Sequence, residues 1–481
     1  MPTMSPVRGC RVVAGLAAAL VAATLVAPTV AQARPLPGSD GIGDAYFPQD
    51  GNGGINVLRY RIEDRYQFRG SRLSGRTVLK IRATHDLSQF NLDFLLPVRR
   101  VTVDGRPAAH TQPGSPELVI TPQRSIKQGD RFKVEVKYAG RPRRTSYLGE
   151  TNWLADRHEV VAMNQPHMAT WWFPANDHPS DKARMDISIT VPRGKQVFAN
   201  GQRISIERDG RLATHRWRAD EPMSTYLAMF AAGDFRVASG ESHGLPWRAI
   251  VSKQLSSGVL RDNMALMRQT PEVVAGLEAD LGDYPFSTVG GLVTALDVRF
   301  ALENQTLPTY PVTGRDYTWL VVHELAHQWF GDSVALRRWS DIWLNEGAAT
   351  FMEVRWTETH GGQSGAAWLR REYDKRPEGR TFWELKIGDP GPDSIFATPV
   401  YERGAMTFQA LRNVIGENAF WTVMQRWVRE HANGLGSRAE FEELAEQVSG
   451  VDLERFFRVW LDRGRKPADT LANGLGEIET G

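Results

Sequence analysis

The sequence predicts a multidomain α+β protein in which an N-terminal domain of antiparallel β-strands precedes a mainly helical domain. Two observations predict this class. From about residue 51 to 235 apolar side chains recur at every second position, and after about residue 246 they recur at helical spacing. The length of 481 residues suits two or three domains, and a content of 15 Trp, 20 Phe and 11 Tyr excludes a largely disordered chain.

Residues 1–33 have the features of a secretory signal peptide. Arg8 and Arg11 form a basic start, an uncharged apolar run follows, and small residues at Ala31 and Ala33 suit a signal peptidase. We therefore expect a secreted, extracellular protein that has no membrane attachment after cleavage. An uncleaved membrane anchor is the alternative interpretation, and the rest of the sequence contains no second long apolar run.

Charge and cysteine content narrow the function classes. The leader holds two of the 58 basic residues and no acidic ones, so 56 basic residues balance 56 acidic residues in the mature chain. This balance argues against a broad cationic surface, so we expect no nucleic-acid partner. The single cysteine, Cys10, lies in the leader, and an exported protein without disulfides must rely on a large apolar core.

The N-terminal β domain is predicted over residues 34–240. In "FNLDF" the apolar residues Phe90, Leu92 and Phe94 alternate with polar ones, and "FKVEVKY" and "MDISITV" repeat the pattern. Such alternation is typical of strands with one buried face. The pair Asp104-Gly105 is a typical turn between two antiparallel strands.

The helical domain is predicted over residues 241–465. "SRAEFEELAEQV" begins with Ser437 and Glu440 at the spacing of a capping box, and its apolar residues then fall on one helical face: Phe441, Leu444, Ala445 and Val448. The segments around residues 319, 342 and 423 show similar helical spacing. Residues 466–481 lose this periodicity, so we expect a frayed C-terminal tail.

The segment "VVHELAHQWFGD", residues 321–332, carries the main chemical signal. Residues four apart lie on the same face of a helix, so His323 and His327 can direct their imidazoles to one point. Neutral imidazoles suit Zn²⁺, and Glu324 can reach a metal-bound water without binding the metal. We expect Gly331 to cap this helix and four residues to bury it: Trp319, Val322, Ala326 and Trp329. The alternative is a chance pair of core histidines, which would need hydrogen-bond partners.

A catalytic zinc site needs a third protein ligand and an open position. "SDIWLNEGAATFMEV" supplies Glu346, nineteen residues after His327. Ser340 can cap a helix here, and a loop of this length can return that helix antiparallel to the first, so that Glu346 faces the histidines. Taken alone, Glu346 would be an ordinary solvated glutamate. Behind the histidine pair it is the best candidate ligand.

These segments resemble the M1 family of zinc aminopeptidases. "PMSTYLAMFAAGDF" and "YPFSTVGGLV" are similar to family segments, as is "WWFPANDHPSDKARMDISITVP", in which Ala175 and Asn176 replace the usual residues. The resemblance covers about residues 57–463. It implies a saddle-shaped β domain, a thermolysin-like zinc peptidase domain and one Zn²⁺ per chain. Longer members add a β sandwich and a large helical domain, and we expect the residues after 465 to be too few for either.

The resemblance also implies roles for further residues. Tyr401, in "PVYERGAMTF", corresponds to a tyrosine that donates a hydrogen bond to the oxyanion of the tetrahedral intermediate, although such a tyrosine alone would indicate packing. "FALEN" replaces the family's "GAMEN", with Phe300 and Leu302 in place of Gly and Met. Glu303 and Asn304 are retained as candidate substrate-binding residues, and Glu303 is expected to pair with the substrate ammonium. Gln165, in "MNQP", is the candidate for a second amine contact, although an insertion or deletion separates it from the next matching segment.

Three functions remain open at this point. The leading hypothesis is a secreted, monomeric zinc aminopeptidase that acts on peptides with a free N-terminus, in which Glu324 is the general base toward zinc-activated water. A thermolysin-like endopeptidase would use the same zinc, base and tyrosine, and Glu303 argues against it. A catalytically weak peptide-binding relative belongs to a different class. The intact His-Glu-x-x-His motif and third ligand argue against it.

Overall fold

The N-terminal half of the chain is built from strands, and the C-terminal half consists of helices packed around a small sheet. The computed structural model describes residues 34–114 and 116–476. The predicted signal peptide, residues 1–33, lies outside the described residues, as do Cys10 and the last five residues, 477–481.

Strands and helices are numbered along the chain. The strands are β1 Leu36–Pro37, β2 Ile55–Gln67, β3 Arg72–Ala83, β4 Leu87–Asp93, β5 Val98–Val103, β6 Arg106–Pro107, β7 Ala109–Thr111, β8 Glu117–Thr121, β9 Arg131–Gly140, β10 Leu154–Ala155, β11 Val160–Ala162, β12 Ala183–Pro192, β13 Gln196–Ala199, β14 Gln202–Asp209, β15 Leu212–Met223, β16 Phe230–Gly233, β17 Phe235–Ser242, β18 Leu245–Ser252, β19 Val289–Val293, β20 Thr309–Tyr310, β21 Ala335–Leu336 and β22 Leu435–Gly436. The helices are α1 Ala169–Trp172, α2 Ser257–Met267, α3 Thr270–Leu281, α4 Thr318–Ala326, α5 Trp343–Thr359, α6 Gly365–Lys375, α7 Thr381–Glu384, α8 Thr398–Ile415, α9 Glu417–Glu430, α10 Arg438–Ser449 and α11 Glu454–Phe457. Within the described ranges, no helix is long and apolar enough to cross a lipid bilayer.

The largest sheet has eight strands in the order β14-β15-β12-β2-β3-β9-β5-β6. Its neighbouring strands are antiparallel except β2 and β12, which run parallel. The sequence predicted antiparallel sheets throughout. Side chains alternate in the same way along parallel and antiparallel strands, so the sequence pattern could not reveal this parallel pair.

The predicted alternation is confirmed in β9 and β12, where every second side chain is buried against the core. The predicted turn is confirmed as well. Asp104 and Gly105 connect β5 to β6 with φ angles of 48° and 78°, which a two-residue turn of this kind requires. Two four-stranded sheets complete the β region, with strand orders β1-β4-β8-β7 and β10-β11-β16-β13.

Strands continue further along the chain than the sequence pattern indicated. A four-stranded sheet in the order β17-β18-β19-β20 follows the β region, and the predicted boundary after residue 240 falls within β17. Helices were predicted from about Pro246, but this residue lies in β18, and the first long helix begins at Ser257. At the β20 edge of this sheet, Leu302 bridges Thr309 of β20 through two backbone hydrogen bonds of 2.9 and 2.8 Å.

The helices with the predicted chemical residues differ from the prediction at their ends. Helix α4 ends at Ala326, and Gly331, with φ 122°, lies in the turns that follow instead of capping the helix. Ser340 does not cap α5, because it lies within a 3₁₀ turn that ends before α5 begins at Trp343. Trp319 does not bury α4, because 47 % of its surface is exposed.

At the C-terminus one prediction holds and another is wrong. Ser437 caps α10 by accepting a hydrogen bond from the backbone N–H of Glu440, and apolar residues of this helix are buried as predicted. The predicted tail is not frayed over residues 466–476. Asn473 is buried and accepts a hydrogen bond from Trp460, while Pro467 accepts one from Tyr373. These contacts use backbone carbonyls, which leave no periodic pattern in the sequence.

Candidate metal centre and active site

Helices α4 and α5 bring His323, His327 and Glu346 together in one buried cluster. The Nε2 atoms of His323 and His327 each lie 3.4 Å from Oε2 of Glu346. Ligand atoms bound to a tetrahedral zinc ion at about 2.0–2.1 Å are about 3.3–3.4 Å apart. The three residues therefore have both the chemistry and the spacing of three ligands to one Zn²⁺.

The two imidazoles are held in the orientation that a metal requires. His323 Nδ1 donates to Oε1 of Glu353 at 2.7 Å, and His327 Nδ1 donates to the carbonyl of Phe330 at 3.0 Å. These bonds occupy Nδ1 of each ring, so Nε2 is the nitrogen that each imidazole can offer to a metal. The sequence analysis missed Glu353, although a signal was present, because Glu353 lies seven residues after Glu346 and therefore on the same helical face.

Glu324 lines the cavity beside the cluster, and its carboxylate accepts no hydrogen bond from any group in the described residues. Burial raises the pKa of Glu324 to about 8, and the charge of a bound dication would lower this pKa again. Burial also favours a higher pKa for Glu346, but His327 and His323 outweigh it and lower this pKa to about 2. Glu346 is therefore ionised, as a metal ligand must be.

Tyr401 lies in the first turn of α8 and stacks on His323, with ring centroids 5.9 Å apart. Two glycines allow α8 to pack closely against α5, because a Cβ on Gly347 of α5 would lie only 2.8 Å from Cα of Gly404 in α8. Burial raises the pKa of Tyr401 well above its usual value, so the hydroxyl stays protonated and can donate a hydrogen bond. The structure thus places Tyr401 beside the predicted metal ligands.

Glu303 lies at another part of the same cavity, where two neutral donors hold it. Gln165 Nε2 and the Tyr226 hydroxyl each donate to Oε1 of Glu303 at 3.0 Å. Gln165 also lines the cavity, so the structure brings these two predicted residues together across 138 positions of sequence. Tyr226 was not among the predicted residues. Its signal was a tyrosine within a predominantly apolar segment, since a buried tyrosine hydroxyl needs a hydrogen-bond partner.

Asn304 was predicted to contact the substrate, but its side chain bonds other parts of the protein instead. Its side-chain amide donates to the carbonyl of Leu227, and its Oδ1 accepts a hydrogen bond from Thr309. Asn304 is fully buried and is absent from the cavity lining. In this structure Asn304 anchors the Glu303 segment to its surroundings, and sequence alone could not distinguish this anchoring from direct contact with substrate.

The cavity that contains these groups has a volume of about 430 Å³. Among the described residues, no lysine or arginine lines it and five glutamates do: Glu303, Glu324, Glu346, Glu353 and Glu402. Three exposed aromatic side chains also line it: Phe300, Trp319 and Phe396. The cavity therefore combines a candidate metal-binding cluster with carboxylates suited to a cationic group and with apolar rings.

The chain matches the Peptidase family M1 domain over residues 290–460 and the Peptidase M1 N-terminal domain over residues 75–227. This chain belongs to peptidase family M1. The match confirms the predicted order of a β-rich N-terminal domain and a mainly helical catalytic domain. Together with the donor set, membership of this zinc metallopeptidase family identifies the cofactor as one Zn²⁺ per chain.

Curated relatives of this family member include aminopeptidases from distant organisms. "Probable aminopeptidase 1" of Sulfurisphaera tokodaii is 24% identical over 451 residues, which cover 87% of this chain and 54% of the relative. "Aminopeptidase N" of Lactobacillus delbrueckii subsp. lactis is 26% identical over 326 residues, which cover 61% of this chain and 37% of the relative. The chain thus spans about half the length, or less, of these relatives.

Solved structures of the M1 family match the chain over nearly their whole length. The M1 zinc metallopeptidase of Deinococcus radiodurans has a TM-score of 0.79 and 27% identity, over 89% of this chain and 99% of that one. A variant of the Deinococcus enzyme was crystallised with a Tyr-Ser-Ala substrate. A two-domain M1 zinc metallopeptidase bound to L-arginine has a TM-score of 0.80 and 26% identity, over 89% and 98% of the two chains.

Proposed function

We propose that this M1 family member is a secreted, monomeric zinc aminopeptidase that removes N-terminal residues from peptides with a free amino terminus. The observation that carries the proposal is Glu303, which Gln165 and Tyr226 hold in the same cavity as the metal cluster. The aminopeptidases among its relatives support the reaction class. The leader-like residues 1–33 support export.

Glu303 can measure the substrate from its amino end. Both side-chain hydrogen bonds to its carboxylate come from neutral groups and end on Oε1, and among the described residues no lysine or arginine lines this cavity. A substrate ammonium loses hydration when it enters a cavity, and a nearby carboxylate with good geometry offsets part of that loss. A peptide anchored at Glu303 would then place its first peptide bond next to His323, His327 and Glu346.

The residues around the cluster supply proton transfer and charge stabilisation. When bound, Zn²⁺ supplies Lewis-acid chemistry, which polarises a carbonyl and makes water a better nucleophile. Glu324 accepts the proton of the attacking water on its carboxylate and passes it to the leaving amine. The Tyr401 hydroxyl donates a hydrogen bond to the oxygen on which negative charge develops. Glu353 keeps the His323 ring in its orientation.

The proposal is tested with two peptides that share one sequence, one with a free and one with an acetylated N-terminus. The zinc-loaded wild type should cleave the free peptide after its first residue and should leave the acetylated peptide almost unchanged. Glu324→Gln, prepared in the same way, measures the background from contaminating peptidases. Equal cleavage of both peptides would show a thermolysin-like endopeptidase, and zinc-loaded protein that binds but cleaves neither would show a peptide-binding relative.

A further inference from the structure

The proposed chemistry uses none of the three exposed aromatic side chains in the active-site cavity, and two of them, Phe300 and Trp319, lie on segments that also carry its functional residues. Phe300 is 44 % exposed and occupies the position at which the resembled "GAMEN" segment has Gly. Trp319 is 47 % exposed and lies one helical turn before His323 on α4. Both rings line the same cavity as Glu324. Exposed apolar side chains that are grouped in one groove, and not scattered over the surface, are typical of a ligand-binding site.

The backbone around Phe300 indicates where a bound peptide would lie. Leu302 uses both its N–H and its C=O to bond Thr309 of β20. Hydrogen-bonding groups of successive residues along a strand point to opposite sides, so those of Ala301 point away from β20. Ala301 lines the cavity. A peptide can therefore extend this edge as an added strand that pairs with Ala301.

The direction of that peptide follows from Glu303. With its ammonium at Glu303, the peptide runs back along the segment toward Phe300. Three residues of extended chain span about 10 Å, so Phe300 lies beside the residues that follow the first peptide bond. Trp319 lies on the same face of α4 as His323, about 6 Å along the helix axis from it. Both rings are therefore adjacent to the residue on the leaving side of the cleaved bond.

We propose that Phe300 and Trp319 form an aromatic subsite that selects peptides with a large apolar residue directly after the N-terminal residue. This inference rests on the proposed aminopeptidase function. The Trp319 ring lies beside the ring of Tyr317, with centroids 6.0 Å apart. A side chain packed between two such rings would lose most of its contact with water, which favours aromatic and branched apolar residues.

The test compares three substrates that share N-terminal alanine: Ala-Phe-Ala, Ala-Ser-Ala and alaninamide, which has no second residue. The wild type should cleave Ala-Phe-Ala with a kcat/KM about 10–100-fold above that for Ala-Ser-Ala, since a hydrophobic pocket discriminates by factors of this size. Phe300→Gly and Trp319→Ala should each lower this ratio severalfold, and the double variant should bring it close to one. Alaninamide turnover should change much less in all variants.

Ile204→Ala serves as the matched control, because Ile204 is also an exposed apolar residue but does not line the cavity. This variant should keep the wild-type ratio, and zinc content should be equal in all proteins. An unchanged ratio in the double variant, or a wild type without preference for Phe over Ser, would overturn the aromatic subsite while leaving the aminopeptidase proposal intact. Wild type that cleaves none of the three substrates would instead overturn the proposed function, and the subsite with it.

Discussion

Asp64 in the β region and Glu324 in the cavity are two buried carboxylates with opposite surroundings. Asp64 accepts hydrogen bonds from the Tyr138 hydroxyl and from Trp172 Nε1, both at 2.8 Å, so each of its oxygens has a partner. Within the described ranges, Glu324 has no hydrogen bond from the protein and faces the cavity. Burial raises both pKa values, to about 7 for Asp64 and to about 8 for Glu324.

This difference separates structural from functional carboxylates in the molecule. Burial and a raised pKa are common to both residues, so neither property identifies a reactive group by itself. What differs is whether the protein already satisfies the carboxylate oxygens. Asp64 should therefore contribute to stability and not to turnover, and Glu324 should show the reverse.

The largest effect is expected for Glu324→Gln. This change keeps the shape of the side chain and removes its ability to accept a proton, so kcat should fall roughly 10²–10⁴-fold. Because no group in the described part of the chain hydrogen-bonds the Glu324 carboxylate, thermal stability and zinc content should stay close to those of the wild type. Stopped assays measure kcat, thermal unfolding measures stability, and metal analysis measures zinc content. A kcat within a few-fold of wild type would remove Glu324 from the role of general base.

Tyr401→Phe should have a smaller but still large effect. The ring that stacks on His323 is retained, and only the hydroxyl is lost. Loss of one donor to a developing oxyanion should lower kcat on the order of 10²–10³-fold, with little change in KM. Tyr147→Phe is a suitable control, because its hydroxyl bonds Gln49 outside the cavity. If Tyr401→Phe raised KM alone, the hydroxyl would be a binding contact.

Glu353→Gln tests the support of the metal cluster. Glu353 accepts a hydrogen bond from His323 Nδ1, and loss of such a carboxylate typically weakens metal affinity about 10–100-fold. Competition with a chromophoric chelator measures the zinc dissociation constant. Glu358→Gln on the same helix provides the control, because Glu358 pairs with Arg355 and Arg412 instead. Equal zinc affinities in the two variants would show that Glu353 does not support the metal site.

Asp64→Asn should affect stability and leave catalysis unchanged. The amide can accept only at its oxygen, so one of the donors from Tyr138 and Trp172 loses its acceptor. An unsatisfied buried donor costs about 1–3 kcal/mol of unfolding free energy. Denaturant unfolding measures this loss, while kcat/KM per bound zinc should match that of wild type. A large fall in kcat/KM would contradict the assignment of Asp64 as a structural carboxylate.

Wild type and Asp64→Asn should also differ in how their stability depends on pH. Burial raises the pKa of Asp64 from 3.8 to about 7 in the folded protein. The folded state therefore binds more protons than the unfolded state between about pH 4 and 7, and stability due to this group decreases as pH rises through that range. Asp64→Asn removes this contribution. The stability difference between wild type and variant should accordingly shrink from pH 4 to pH 7 and stay constant above pH 7.

Local spacing explains what the sequence could predict. His323, Glu324 and His327 share one helical turn, and strand alternation is visible in "FKVEVKY", so both the metal motif and the β region were accessible from the sequence. Trp319 shows a limit of the same logic. An apolar residue at helical spacing indicates an apolar environment, but the pattern cannot distinguish a packed core from the wall of a cavity.

Contacts between distant segments explain what the sequence could not predict. Tyr226 bonds Glu303 across 77 residues, and the approach of α5 to α8 depends on the pairing of Gly347 with Gly404. Such pairs leave no periodic signal in one sequence, because their spacing along the chain is set by the whole fold. The parallel pairing of β2 with β12 is another example, since the alternation of each strand is compatible with either direction.

Glu303 gives the most direct test of the account, because two neutral groups hold its carboxylate in the cavity where the proposal places the substrate ammonium. The measurement is the ratio of kcat/KM for a free peptide to that for its acetylated form, in wild type and in Glu303→Ala. We predict a large ratio in wild type and a fall of more than tenfold in the variant, caused by slower cleavage of the free peptide, since truncating one partner of such a pair typically costs about 2–5 kcal/mol. An unchanged ratio in Glu303→Ala would contradict the account and would make Glu303 a structural carboxylate like Asp64.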